Sequence, residues 1–205
     1  MVLCTSWRYR HASSLVRRGY FPVIERYQHA GNHCHSMLRI CLFQPDQAAN
    51  LGSILRLTAC FGAGCEIIGP CGFPLDHSRL RRAGMDYIQH ADYQQHQSWD
   101  AFCDWRQAEK SGSRLVLLTT KAATPLTEFA FQSDDLLLFG RESAGAPDYV
   151  HEAADQRLVI PMRPETRSLN LAQSAAITLA EALRQTDQWP KTGANTPMYA
   201  EATSQ

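Results

Sequence analysis

Several features that would place a protein in a class at once are missing from this sequence. Its 205 residues contain no apolar run long enough to span a bilayer, and Lys+Arg equals Asp+Glu at 20 each. The seven cysteines include no C-x-x-C pair. These absences exclude a bilayer-spanning helix, a uniformly basic nucleic-acid coat and a small disulfide-stapled domain. The apolar content of 44% indicates a globular domain, and we expect a reducing, cytoplasmic setting and no membrane partner.

Common phosphate-binding and metal-binding motifs are also missing. Neither the P-loop pattern G-x-x-x-x-G-K-[ST] nor the dinucleotide fingerprint G-x-G-x-x-G occurs. The cluster His33-Cys34-His35 is a weak metal candidate within an unusual leader, and no other cluster has the spacing of a zinc site. We therefore expect no metal.

The neutral total hides an uneven distribution of charge. Residues 1–36 carry five arginines and one glutamate, a net charge of +4, so the remainder of the chain carries −4. The strand-like pattern begins immediately after Met37. We expect residues 1–36 to be an N-terminal extension, either a mis-called start or a targeting segment. Residues 37–190 would form one domain, and 191–205 a flexible tail.

Within residues 37–190, short apolar segments alternate with segments of helical periodicity. The pattern predicts strands over 38–43, 65–68, 115–118, 135–139 and 158–160, and helices over 50–61, 99–110 and 169–184. We expect Asn50 to cap the first helix and Ser168 to cap the last. Gly62 and Gly64 would end the first helix. This alternation predicts an α/β domain with a mostly parallel sheet flanked by helices.

Three polar segments follow predicted strands, where ligands bind in parallel sheets. They are N-L-G-S-I-L-R at 50–56, F-G-R-E-S-A-G-A-P at 139–147 and I-P-M-R-P-E-T-R-S-L-N-L-A at 160–172. The glycines of the second segment would let a ligand approach the backbone closely. Each segment alone also has an ordinary explanation: a surface arginine, a strand-to-helix turn and a helix cap.

Taken in order and spacing, the three segments resemble the motifs of the SPOUT superfamily of S-adenosylmethionine-dependent RNA methyltransferases. The shared patterns are N-x-G-x-x-x-R, F-G-x-E-x-x-G and I-P-M-x-P-x-x-R-S-L-N-L. The stretches at 79–87 and 118–121 are similar to the TrmL type, which methylates the ribose 2′-hydroxyl of the wobble pyrimidine, C34 or U34, in certain leucine tRNAs. The resemblance covers about residues 37–190.

The resemblance implies a SPOUT (α/β knot) fold with a C-terminal trefoil knot, a homodimer, an S-adenosylmethionine cofactor and a tRNA substrate. Catalytic positions would be Arg56, Asn50 and Glu142, with Asn50 and Arg56 facing the partner's cofactor and no general base assigned. The implied cofactor-binding positions are Leu118, Gly140, Ile160, Ser168, Leu169 and Asn170. The implied contacts to tRNA phosphates are Arg79, Arg81, Arg82 and Arg167.

Other functions stay open at this point. A SPOUT enzyme of this kind could act on another tRNA position or on ribosomal RNA, and a SPOUT module could bind RNA without catalysis. A small-molecule enzyme of the dinucleotide-binding class is disfavoured because its fingerprint is missing.

Overall fold

The structure is a computed structural model that describes residues 37–75 and 85–191. Within these residues, parallel strands form one sheet in the order β3–β2–β1–β6–β4–β7–β5. The strands are β1 (Arg39–Phe43), β2 (Gly64–Ile68), β3 (Asp92–His96), β4 (Leu115–Leu118), β5 (Thr124–Pro125), β6 (Leu136–Phe139) and β7 (Gln156–Val159). The α-helices are α1 (Ala48–Phe61), α2 (Trp99–Glu109), α3 (Asp148–Ala153) and α4 (Leu171–Gln185). Short 3₁₀ helices span Met85–His90 and Leu126–Glu128.

Each predicted strand and helix is present, which confirms the α/β class with a parallel sheet. The pattern missed β3, β5 and α3. β3 was missed because its sequence, D-Y-Q-Q-H, is mostly polar: it lies at the sheet edge and buries only Tyr93 and His96. β5 has two residues and α3 has six, too few to show a period.

Helices cover both faces of the sheet, because alternate residues of a strand point to opposite faces. Ile40 and Leu42 of β1 belong to the larger core, which packs beneath α1 and α4. Cys41 and Phe43 belong to the smaller core on the other face, with Phe102 of α2. The central strands β1, β2, β4 and β6 are buried along their whole length. The apolar runs of the sequence are therefore strands covered on both sides.

A buried ion cluster crosses β1, β2 and β3 on the face beneath α2. Glu66, fully buried, accepts from Arg39 Nε at 2.5 Å and contacts His96 Nε2 at 2.6 Å. Arg39 Nη1 also donates to Asp92 at 2.7 Å. Burial alone would lower the pKa of Arg39, but attraction to Glu66 and Asp92 outweighs it and raises that pKa. The cluster ties the edge strand to the centre of the sheet.

Two predicted roles at the ends of α1 are wrong. The helix begins at Ala48 with Gln47 at the N-cap, so Asn50 lies within the first turn and does not cap it. At the other end Gly62, at φ +67°, is the C-cap as predicted. Gly64, however, is the first residue of β2, and a glycine is needed there because the Arg39 side chain lies against it. A Cβ there would lie 2.3 Å from the Arg39 guanidinium carbon.

The cap of the last helix is also corrected. The Asn170 side chain accepts from the backbone N–H of Ala172 at 2.8 Å and of Gln173 at 3.4 Å, so Asn170 is the N-cap of α4. Ser168 lies two residues before it, in the segment that leads from β7. The amide oxygen of asparagine accepts from the same backbone N–H groups of the first helical turn that a capping serine hydroxyl would reach.

The C-terminal strands are interleaved. β7 lies between β4 and β5, although residues 119–123 join β4 to β5 directly. Both Leu118 and Thr124 pair with Leu158, so this connection passes across β7 near its end. Thr119 N–H donates to Leu158 O at 2.8 Å. The trefoil knot itself stays a prediction.

Residues 1–36, 76–84 and 192–205 lie outside the described residues. The predicted extension, the predicted tail, His33-Cys34-His35 and three of the four expected tRNA contacts, Arg79, Arg81 and Arg82, fall there, and the domain boundaries stay predictions. None of the helices in the described part of the chain is long and apolar enough to cross a bilayer.

Candidate active site

A cavity of about 440 Å³ lies where β4, β6 and β7 end. These strands are parallel neighbours, so their carboxyl ends meet at one edge of the sheet. The first turn of α1 and the start of α4 complete the wall. All six residues expected to bind the cofactor line it: Leu118, Gly140, Ile160, Ser168, Leu169 and Asn170. The three polar segments predicted from the sequence therefore border one cavity.

Gly140 is required at the cavity edge by the loop that follows it. Arg141 and Gly145 exchange backbone hydrogen bonds of 3.0 and 2.9 Å, which folds the loop back onto β6. A Cβ on Gly140 would lie 2.4 Å from the Gly145 carbonyl carbon and 2.5 Å from Ala146 N. Close approach of the chain's own backbone therefore already requires a glycine here, and the close approach of a ligand expected from the sequence stays a prediction.

Side chains of the three segments are joined in one hydrogen-bond network, which we call the Asn50–Glu142–Asn170 network. Asn50 Nδ2 donates to Glu142 Oε1 at 2.9 Å, and Asn170 Nδ2 donates to Asn50 Oδ1 at 3.0 Å. The second oxygen of Glu142 accepts from the backbone N–H of Asp46 at 2.7 Å. Asn170 in turn caps α4 through its own oxygen. The network fixes the relative positions of α1, α4 and the loop after β6.

This network indicates what Asn50 and Glu142 do. Both oxygens of Glu142 already accept hydrogen bonds, one of them from the backbone just before α1. A carboxylate near a helix N-terminus is stabilised by the helix dipole. Asn50 has both its amide nitrogen and its oxygen engaged. Their geometry favours holding the wall of the cavity in place, and the catalytic role predicted for them stays a prediction.

Sequence reasoning missed a second connection between α1 and the loop after β6. Asp46 accepts from Ser143 Oγ at 2.6 Å and from Ser143 N–H at 3.0 Å. These two bonds lower the pKa of Asp46. Gln44, at φ +48°, accepts from Arg141 Nη2. The only signal in the sequence was the polar turn at 44–47, and nothing in that turn indicates which residues it contacts.

Arg56 is separate from the cavity, whereas Asn50, also expected to face a partner's cofactor, lines the cavity of its own chain. Six residues after Asn50 on α1, it lies about a third of a turn round the helix and about 9 Å along it. Arg56 is exposed, and its guanidinium carbon lies 4.5 Å from the centroid of the Tyr87 ring. Arg167 is also exposed, one residue before the cavity-lining Ser168. Among the described residues, no group of three or more His, Cys, Asp or Glu side chains is placed to hold a metal ion.

Comparison with known proteins agrees with this geometry. The sequence profile of the SpoU rRNA Methylase family matches residues 37–180, most of the chain. The chain belongs to the SpoU methylase family. A relative from Beijerinckia indica is 53% identical over 146 residues, which cover 71% of this chain and 90% of that protein. A relative from Yersinia pestis is 41% identical over 152 residues, covering 73% and 94%. Both are named tRNA (cytidine(34)-2′-O)-methyltransferase.

Solved structures of other proteins share the fold. One, described as "Structural insights into the 2-OH methylation of C/U34 on tRNA", matches with a TM-score of 0.68 at 38% identity, covering 73% of this chain and 96% of that one. The AdoMet-bound rRNA methyltransferase from Sinorhizobium meliloti matches with a TM-score of 0.65 at 26% identity, covering 72% and 56%. The SPOUT resemblance of the sequence is thereby confirmed.

Proposed function

We propose that the chain transfers a methyl group from S-adenosylmethionine to the ribose 2′-hydroxyl of the wobble nucleotide, C34 or U34, of tRNA, with leucine tRNAs as the expected substrates. The observation that carries the proposal is the convergence of three separate sequence segments on one cavity at the strand ends. The names of relatives at 53% and 41% identity support the nucleotide and the reaction.

The cavity suits a cofactor of this kind. Its volume of about 440 Å³ lies within the range of small-molecule sites. Its lining includes the apolar residues Leu118, Ile160 and Leu169, which suit an adenine ring, together with Gly140 and Ser168. When bound, S-adenosylmethionine supplies a methyl group already activated by its sulfonium. No step that follows calls for a metal.

The residues of this chain then have to position a ribose oxygen and stabilise its developing charge. Arginine stays protonated in proteins, so Arg56 serves as an electrostatic and orienting group, not as a base. The Asn50–Glu142–Asn170 network keeps the cavity wall fixed while the hydroxyl is brought in line. The general base is left unassigned.

The position of Arg56 supports a homodimer in which it serves the cavity of a second copy. Arg56 does not line the cavity of its own chain, and it projects from the exposed side of α1. On α4, which packs beside α1, Ile177 is an exposed apolar side chain. A symmetric contact through this surface would cover Ile177 and bring each Arg56 to the other copy.

tRNA phosphates would be held by arginines near the cavity. Arg167 is exposed beside the rim, and Arg79, Arg81 and Arg82 are expected to contribute, outside the described residues. Such contacts make affinity fall with increasing salt concentration. A cytoplasmic location follows from the tRNA substrate and stays part of the proposal.

The decisive experiment maps ribose methylation by mass spectrometry in tRNA from cells that lack this protein and from the same cells supplied with it. We expect the 2′-O-methyl group at nucleotide 34 of leucine tRNAs to disappear and to return on complementation. Methylation lost at another tRNA position or in ribosomal RNA would select that alternative. Unchanged RNA, together with no binding of S-adenosylhomocysteine by calorimetry, would favour an inactive RNA-binding module.

A further inference from the structure

The partner that the described structure gives Arg56 is an aromatic ring. Tyr87 belongs to the 3₁₀ helix Met85–His90, which packs against α1. The Arg56 guanidinium carbon lies 4.5 Å from the centroid of the Tyr87 ring, and Arg56 Nη2 lies 3.5 Å from the Tyr87 hydroxyl oxygen. The ring itself is half-buried, although Arg56 is exposed.

An aromatic partner has a different effect from a carboxylate. An ion pair would hold the guanidinium but also neutralise its charge, which the developing oxyanion needs. A ring face attracts the cation through its quadrupole and leaves the full positive charge in place. Among the side chains that the structure describes, which leave out that of Asp86, no carboxylate forms an ion pair with Arg56. The Tyr87 ring thus restrains the Arg56 side chain without neutralising its charge.

Restraint matters because a free arginine side chain has about 2 kcal/mol of rotamer entropy to lose when it is fixed. If Tyr87 holds the Arg56 side chain in place beforehand, less of this entropy is lost on reaching the transition state. We propose that Tyr87 is a positioning residue for Arg56, stacking on its guanidinium so that the charged group is oriented before the ribose arrives. This inference rests on the proposed function, in which Arg56 acts on the ribose hydroxyl.

Steady-state kinetics with purified tRNA test the inference. Tyr87→Leu should lower kcat about three- to thirtyfold, the range of a cation–π contact, with KM for S-adenosylmethionine unchanged. Tyr87→Phe keeps the ring and should retain most of the rate. Tyr149→Leu is the matched control, because Tyr149 is half-exposed on α3 and, within the described part of the chain, its ring contacts are with Phe43 and Trp99. A Tyr87→Phe variant as slow as Tyr87→Leu would overturn the inference.

A double-mutant cycle separates positioning from a general structural effect. In an Arg56→Ala background, measured by single turnover with a labelled methyl group, Tyr87→Leu should cause no further loss. An equal loss in both backgrounds would show that Tyr87 acts without Arg56, and full activity of Arg56→Ala would remove the reason for positioning it. Either result overturns the inference.

A readout independent of activity comes from NMR. The Arg56 Nε–H resonance should be shifted by the ring current of Tyr87 and should move towards its free value in Tyr87→Leu but not in Tyr87→Phe. An unmoved resonance would overturn the inference even if the enzyme is active, and this measurement decides where rates fall below detection. A shifted resonance in a protein that methylates no RNA would instead overturn the proposed function, and with it the role given to the contact.

Discussion

The side-chain amide of Asn50 donates to the Glu142 carboxylate at 2.9 Å and so joins two segments that lie 92 residues apart in the chain. Asn170 extends the contact by donating to Asn50 at 3.0 Å. One asparagine therefore connects the start of α1 with both loops that enclose the cavity. A change at this position should affect cofactor binding through the shape of the wall.

Asn50→Asp should be more damaging than Asn50→Ala. The aspartate would place an acceptor oxygen and a negative charge opposite Glu142, where a donor now lies, and like charges this close repel. Asn50→Ala leaves Glu142 its bond from the Asp46 N–H. We expect S-adenosylhomocysteine affinity, measured by calorimetry at pH 7, to fall further in Asn50→Asp. Wild-type affinity in both variants would show that the network does not shape the cavity.

Gly140→Ala should destabilise the protein. A Cβ atom 2.4 Å from the Gly145 carbonyl carbon meets backbone, which cannot rotate away as a side chain could. Overpacking of this kind costs about 1–3 kcal/mol, which urea unfolding can measure. Gly112→Ala is the control, because a Cβ there has no atom within 4 Å. If both variants unfold at the wild-type midpoint, the tight loop at 141–145 is not as described.

The contact between Asp46 and Ser143 should weaken in acid. The two hydrogen bonds from Ser143, the hydroxyl's being the stronger influence, lower the pKa of Asp46 from its ordinary value of 3.8. A carboxylate with a lowered pKa contributes stability that is complete above the ordinary pKa and is lost as pH falls through the lowered one. NMR titration should place the Asp46 carboxyl transition below the ordinary value, and Ser143→Ala should move it up. A titration that Ser143→Ala leaves unchanged would contradict the assignment.

Arg56→Ala should leave S-adenosylhomocysteine binding near normal and lower methyl transfer about a hundred- to a thousandfold. A second variant, Ser168→Trp, would fill its own cavity but keep Arg56. If Arg56 serves the other copy, mixing the Arg56→Ala and Ser168→Trp proteins should restore activity. Random pairing predicts about a quarter of the wild-type rate in an equal mixture. No recovery on mixing would place Arg56 and the cavity of one chain in the same site.

Glu66→Gln should cost about 3 kcal/mol of unfolding free energy, because it removes the buried carboxylate from Arg39 and leaves this buried cation its pair with the half-exposed Asp92. Glu181→Gln on α4 is the matched change at the surface. It removes an ion pair with the exposed Arg184, and such pairs contribute little. Urea unfolding of both variants compares them directly. Similar midpoints would mean that water reaches the cluster around Glu66.

The sequence predicted what depends on local pattern. β1, β4 and β6 were identifiable because strands covered on both faces are continuous apolar runs. β3 was not, because an edge strand with one buried tyrosine and one buried histidine shows no such run. The order of strands was also beyond reach, since no local feature of Leu136–Phe139 indicates pairing with β1 rather than with β7.

The sequence predicted the location of the site, but not the side-chain contacts within it. Polar residues after parallel strands were expected to converge, and they do around the cavity. The partners of Asn50, however, are 92 and 120 residues away, and no spacing rule connects them. The same holds for Tyr87, whose contact with Arg56 depends on how a 3₁₀ helix packs on α1. Contacts between side chains so far apart in the sequence can be identified only once the fold is known.

The interleaving of β7 between β4 and β5 has a consequence for biosynthesis. A nascent chain whose emerged portion ends before Ser168 would have exposed every strand of the sheet but lack the last wall of the cavity. If the proposed function holds, we expect the cofactor to be retained only after α4 has emerged. Affinity for S-adenosylhomocysteine should then rise abruptly with chain length.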